Sequence, residues 1–201
     1  MYSDTAKERI ITSEAARKAL MGWFAVLTER DASKRKPNGR AWRAQLRRME
    51  LPYGVLMSEG YSVLLRQLQG CMTLRPVDQL ALALFVSVAV YISSHKPGKS
   101  FAAQLGEATE KTKNKACFSE LRFQRLQQAA DPNVFCQQLI RAVKIRGAEG
   151  VNILSLADSI LLWMREWDAR KANQPESSNP FERNRIRWAT EYLSSTMTLT
   201  G

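Results

Sequence analysis

Residues 79–94, QLALALFVSVAVYISS, carry no charge over 16 positions. No other stretch restricts the possible folds so strongly. A helix that crosses a bilayer needs about 20 apolar residues. This run is shorter and contains Gln79, Ser87, Ser93 and Ser94. It reads instead as a central helix, apolar around its circumference and wrapped by other protein segments. Pro76 suits its first turn. No contact with a membrane is expected, so the rest of the chain must supply the cover.

The flanking periodicities are those of amphipathic helices. Thr12 or Ser13 can cap a helix running to about Arg30, with Ala16, Leu20, Trp23, Phe24 and Leu27 on one face. LPYG breaks the chain at 51–54, and a helix over about 55–69 follows, with Leu64, Leu65 and Leu68 apolar. Ser100 can cap the short segment FAAQLGEA. Ser119 precedes ELRFQRLQQAA, whose stripe is Phe123, Leu126 and Ala130. Asp131 and Pro132 form a cap and a first-turn proline for a helix to Arg146, with Phe135, Cys136, Leu139, Ile140 and Val143 apolar. Asn152 can cap ILSLADSILLWMREWDAR, and a last helix is expected from Phe181 to about Leu193. No strand pattern or internal repeat is seen. The expected class is all-α, with eight or nine helices in two small helical-bundle lobes. The Pro/Gly/Lys stretch at 95–100 sets their expected boundary, giving lobes 1–98 and 99–201. NQPESSNP, 173–180, reads as a linker.

One helix has an unusual charge pattern. NGRAWRAQLRRME, 38–50, holds Arg40, Arg43, Arg47 and Arg48 and reaches an acid only at Glu50. With Asn38 as its cap, Trp42, Leu46 and Met49 fall on one buried line. Arg40, Arg43 and Arg47 fall on a second line, and Arg48 lies on the far side. Arg122 and Arg125 flank one later stripe, and Arg141 and Lys144 lie opposite another. Lys111, Lys113 and Lys115 share a loop, and 31–40 is a lysine-rich turn. The chain has 30 Lys+Arg against 19 Asp+Glu, a net charge of +11. Such an excess favours a polyanionic partner. Basic residues clustered on three separate helices favour nucleic acid, touched through its backbone.

Catalytic equipment is sparse. His95 is the single histidine and sits in the expected linker, which argues against a Ser-His-Asp triad or a histidine zinc site. Acids are scattered, and Glu166 and Asp168 point to different helix faces, so no metal is expected. No phosphate-cradling glycine motif is present, and no cofactor is expected. Cys71, Cys117 and Cys136 lack a CxxC spacing and read as reduced thiols of a cytoplasmic protein. The N-terminus, MYSDTAKERIIT, has no apolar signal core. Trp23, Trp42, Trp163 and Trp167 lie on apolar faces and read as core. Trp188, beside Arg185 and Arg187, is open to either reading.

SELRFQRLQQA, LIRAVKI, LSLADSILLWMREW and RIRWATEYL occur in that order, preceded by GRAWRAQLRR and SFAAQLGEA. Together they resemble the small subunit of the type I-E CRISPR Cascade complex, the CasB family. The resemblance implies a non-catalytic, all-helical subunit in antiviral defence. Its expected partners are a second copy of itself, the guide-RNA-containing ribonucleoprotein subunits, the target DNA and the displaced DNA strand. It carries nucleic-acid contact onto Arg48, Arg122 and Arg141, and onto Arg75 in the register just before the apolar helix. A helix-turn-helix transcription regulator is the alternative, with SELRFQRLQQA imitating a recognition unit.

Overall fold

The computed structural model describes residues 10–29 and 39–199. Asn38 and most of the lysine-rich turn 31–40 lie outside them. Among the described residues there are nine α-helices: α1 (Glu14–Thr28), α2 (Gly39–Leu46), α3 (Glu59–Gln69), α4 (Pro76–Ala89), α5 (Phe101–Gly106), α6 (Glu120–Gln127), α7 (Pro132–Arg146), α8 (Ile153–Lys171) and α9 (Asn184–Met197). Short 3-10 turns precede α3, α8 and α9. The class is all-α, as the periodicities require.

Helix α4 holds most of the uncharged run, and every residue from Ala81 to Val90 is buried. It packs most extensively on α8, and also on α7 and α3. Its amino end is fixed by Asp78, which is fully buried. That carboxylate accepts from the Arg75 amide at 2.8 Å and takes a two-pronged grip from Arg165 of α8 at 2.7 and 2.9 Å. No helix among the described residues is long and apolar enough to cross a membrane.

Sequence-level caps are found where a short polar side chain can reach a free amide. Ser13, Ser100, Asp131 and Asn152 all accept amide hydrogens at the starts of their helices. Several bounds differ from expectation. Helix α2 ends at Leu46, leaving Arg47, Arg48 and Met49 in the following turn. Helix α4 stops at Ala89 rather than reaching Ser94, and α9 opens at Asn184, not Phe181. Helix α6 stops at Gln127, so Ala129 is buried and Ala130 is exposed. Two glycines permit close crossings. A Cβ on Gly39 would lie 1.8 Å from the Val26 oxygen, where α2 meets α1, and one on Gly106 would lie 2.6 Å from the Tyr192 oxygen, where α5 meets α9.

The stretch 94–96 is bound to the start of α8. Lys96 N donates to Val151 O at 3.0 Å, and Val151 N to Ser94 O at 3.1 Å. The buried hydrophobic cluster is continuous from Ile11 to Tyr192. Arg146 is buried in this joint. It donates to Gly150 O at 3.0 Å, to Gln104 O, and to Glu107 at 3.3 Å. Gln104 extends the knot, donating to Lys96 O at 2.9 Å and accepting from Asn152 N at 2.8 Å.

His95 belongs to the same joint. Its Nδ1 accepts from Ile153 N at 3.2 Å, and burial lowers its pKa from the ordinary 6.5. Just below pH 6.5 the unfolded chain therefore binds a proton at this residue that the folded chain resists. The His95 contribution to stability is complete above pH 6.5 and is lost as the pH falls through the folded value. Melting temperature should drop between pH 7 and 5.5, and His95→Asn, which keeps an acceptor but does not titrate, should flatten that drop. Identical pH profiles for the two proteins would contradict this role.

Candidate nucleic-acid interface

The structure divides the nominated basic residues into three groups. The first anchors α2. Arg43 is half-buried and donates through Nε to Val90 O at 2.7 Å and through Nη2 to Ile92 O. Arg47 donates through Nε and Nη2 to the same Val90 oxygen at 3.2 and 3.0 Å. These carbonyls lie at the carboxyl end of α4, where unpaired oxygens and the helix dipole favour cations. Both side chains thus bind protein backbone, at the end of a helix that has no basic residue of its own in its last turn.

The second group faces outward. Arg40 and Arg48 are exposed around α2, Arg141 and Lys144 along α7, and Arg122 and Arg125 along α6. Phe123 and Leu126 bury the opposite side of α6, with Phe123 stacked on Tyr192 at 4.0 Å between ring centres. The basic side of α6 is the side left to solvent. Lys111, Lys113 and Lys115 are also exposed. Their turn is held by Thr109 and Thr112, whose hydroxyls each accept from the other's amide.

Arg75 stands apart, exposed at the amino end of α4. The 14-residue helix separates it from Val90 by roughly 20 Å at 1.5 Å per residue. It lines a cavity of about 430 Å³ with Arg165, Asp168 and Gln174.

Basic residues of α7 and of the turn after α2 meet at Tyr91. The Lys144 ammonium lies 4.2 Å from the ring centre, and the Arg47 guanidinium carbon 5.4 Å from it. An open groove of about 740 Å³ runs here, lined by Arg47, Tyr91, Ser93, Ser94, Lys144, Gly147 and Ala148, with no carboxylate among them. Sequence reasoning nominated Arg47 and Lys144 separately and missed Tyr91, Ser93 and Ser94. No local signal marks them: Tyr91 reads as one more member of the apolar run, and Ser93 and Ser94 as its end.

The tryptophans offer no exposed platform for a base. Trp23, Trp42, Trp163 and Trp188 are buried, and Trp167 is partly buried against the core. Trp188, the undecided one, donates to Ser159 Oγ at 2.9 Å and packs edge-on against Phe101. Among the described residues no cluster of three or more His, Cys, Asp or Glu could hold a metal ion. Burial pushes the Cys136 thiol up to about 12 and raises the Glu166 carboxyl. Glu166 accepts from Asn184 N at 2.7 Å and so caps α9.

Fold and surface together define an all-helical protein whose open groove and outward helix faces are cationic. A family model described as CRISPR-associated protein Cse2 matches residues 42–193. The chain belongs to that family, the small subunit of the type I-E Cascade complex, and is a CRISPR Cascade subunit. Comparison with curated proteins gave no match, and neither did comparison with solved structures. The family leaves the helix-turn-helix alternative without support.

Proposed function

We propose that this subunit holds the guide–target heteroduplex and the displaced DNA strand in Cascade through contacts to backbone phosphates, without catalysing a reaction. The observation that carries this reading is the Tyr91 groove, where cations of α7 and of the turn after α2 converge and no carboxylate lines the wall. Arg40, Arg48, Arg122, Arg125 and Arg141 are exposed and are the further phosphate contacts of this reading, and Arg75 serves a separate contact at the far end of α4. Arg43 and Arg47 set the angle of α2, and Arg47 also reaches the groove. Sequence reading is left to the guide RNA, since opening the duplex is nearly balanced in energy and backbone contacts can tip it. A second copy of the subunit and the guide-RNA-containing subunits are the proposed protein partners, and the cytoplasm is the proposed setting.

The test is a reconstituted complex carrying Arg48→Ala, Arg122→Ala and Arg141→Ala together. Retention of target DNA should weaken while guide-RNA content stays at the parental level. Loss of guide RNA with unchanged target retention would reverse the assignment.

A further inference from the structure

We propose that Tyr91 is a positioning residue that joins cations from two separate elements into one phosphate-binding groove. This rests on the backbone-contact reading above and adds to it the residue that makes the groove a unit. Arg47 follows α2 and Lys144 lies on α7, nearly a hundred positions away in the sequence. Both place their charged groups over the same ring, at 5.4 and 4.2 Å from its centre.

The negative face of an aromatic ring attracts cations at these distances. Arg47 is already tied to Val90 O. Lys144 is exposed and has a four-carbon stem with many rotamers. The ring fixes where that ammonium sits, on the same ring that Arg47 meets and in the same groove. Two like charges gathered in one groove, with no carboxylate in the lining, repel and favour an anion there. A phosphate oxygen relieves that repulsion. Two lining residues are tied to each other independently of the ring, since Ser93 Oγ donates to Gly147 O at 3.0 Å. Removing the ring should therefore release the Lys144 ammonium, while Arg47 stays on Val90 O.

The experiment compares the parent with Tyr91→Leu, which keeps bulk without a ring face, and Tyr91→Phe, which keeps the ring. Binding of a fluorescent single-stranded oligonucleotide is titrated at several salt concentrations, with melting curves alongside. Leu should weaken binding roughly three- to tenfold, and should flatten the slope of log K against log salt by about 0.7, the value for the one phosphate contact of Lys144. Phe should restore both. A Leu variant that is folded and binds with the parental slope, or a Phe variant as weak as Leu, overturns the proposal and leaves the functional reading standing.

A parent that binds no oligonucleotide overturns the functional reading instead. The groove is then judged by NMR of dimethylated lysines, which retain their charge, titrated with inorganic phosphate. A ring-shifted Lys144 signal that moves with phosphate in the parent and loses its ring shift in Leu supports the groove. A Lys144 signal without a ring shift, or insensitive to phosphate, ends it.

Discussion

Arg146→Ala is expected to cost about 3–5 kcal/mol of stability, from two buried carbonyls that lose their donor at about 1–3 kcal/mol each and from the space the side chain vacates. The guanidinium is fully buried, and its removal strips donors from the Gly150 and Gln104 carbonyls. Glu107 loses one of its cations but keeps Lys96 and Lys99, at 3.8 and 3.2 Å. The loss therefore falls mainly on the two carbonyls and on the joint they close between α5, α7 and the start of α8. For a chain of this length the melting temperature should fall by roughly 6–20 °C. Arg146→Lys should rescue only a fraction, because an ammonium cannot reproduce the planar fork that serves several acceptors at once. A variant melting within about 2 °C of the parent would show that the joint does not depend on this residue.

Trp163→Ala should be comparably severe, at about 3–5 kcal/mol. The indole is 6% exposed and stacks on Phe135 at 4.0 Å, fastening α7 to α8. Alanine leaves a large cavity beside a fully buried phenylalanine. The same experiment separates core from contact surface. A variant that melts like the parent yet loses nucleic-acid binding would make the indole a stacking platform and contradict its place in the core.

Four helix starts were legible from a short polar residue before an apolar repeat, whereas α3, expected from about 55, starts at Glu59 behind Ser58. Ser13, Ser100, Asp131 and Asn152 each announce a helix start that the structure contains. Helix ends were less so. Helix α2 shows why: the stripe Trp42, Leu46, Met49 continues the helical spacing, yet the backbone leaves the helix at Leu46. Met49 still packs against the core from the turn. Spacing on a wheel cannot separate these cases.

Burial of charge was harder still. Arg146 lies seven residues after Leu139 and three after Val143, on the apolar stripe of α7, so its position alone hinted at burial. Its acceptors come from the backbone at 104 and 150, which no sequence pattern marks. Likewise, Arg43 and Arg47 look like a solvent-facing stripe on a wheel. Their acceptors, Val90 and Ile92, lie at the far end of another helix, and only the fold brings them within reach. Tyr91 escaped notice for the same reason, since a groove shared by α7 and the turn after α2 has no local signature.

Phosphate contact by Arg48, Arg122 and Arg141 is the central claim, and a salt titration tests it most directly. Each of the three is exposed, and surface substitutions usually shift stability by less than about 0.5 kcal/mol. Each alanine variant should therefore melt like the parent. If each arginine neutralises one phosphate, its removal should flatten the slope of log K against log salt by about 0.9 on duplex and about 0.7 on a single strand. The measurement is fluorescence anisotropy of the parent and the three variants across a range of salt. Folded variants that all keep the parental slope would place these arginines toward solvent or protein, and the assigned interface would be wrong.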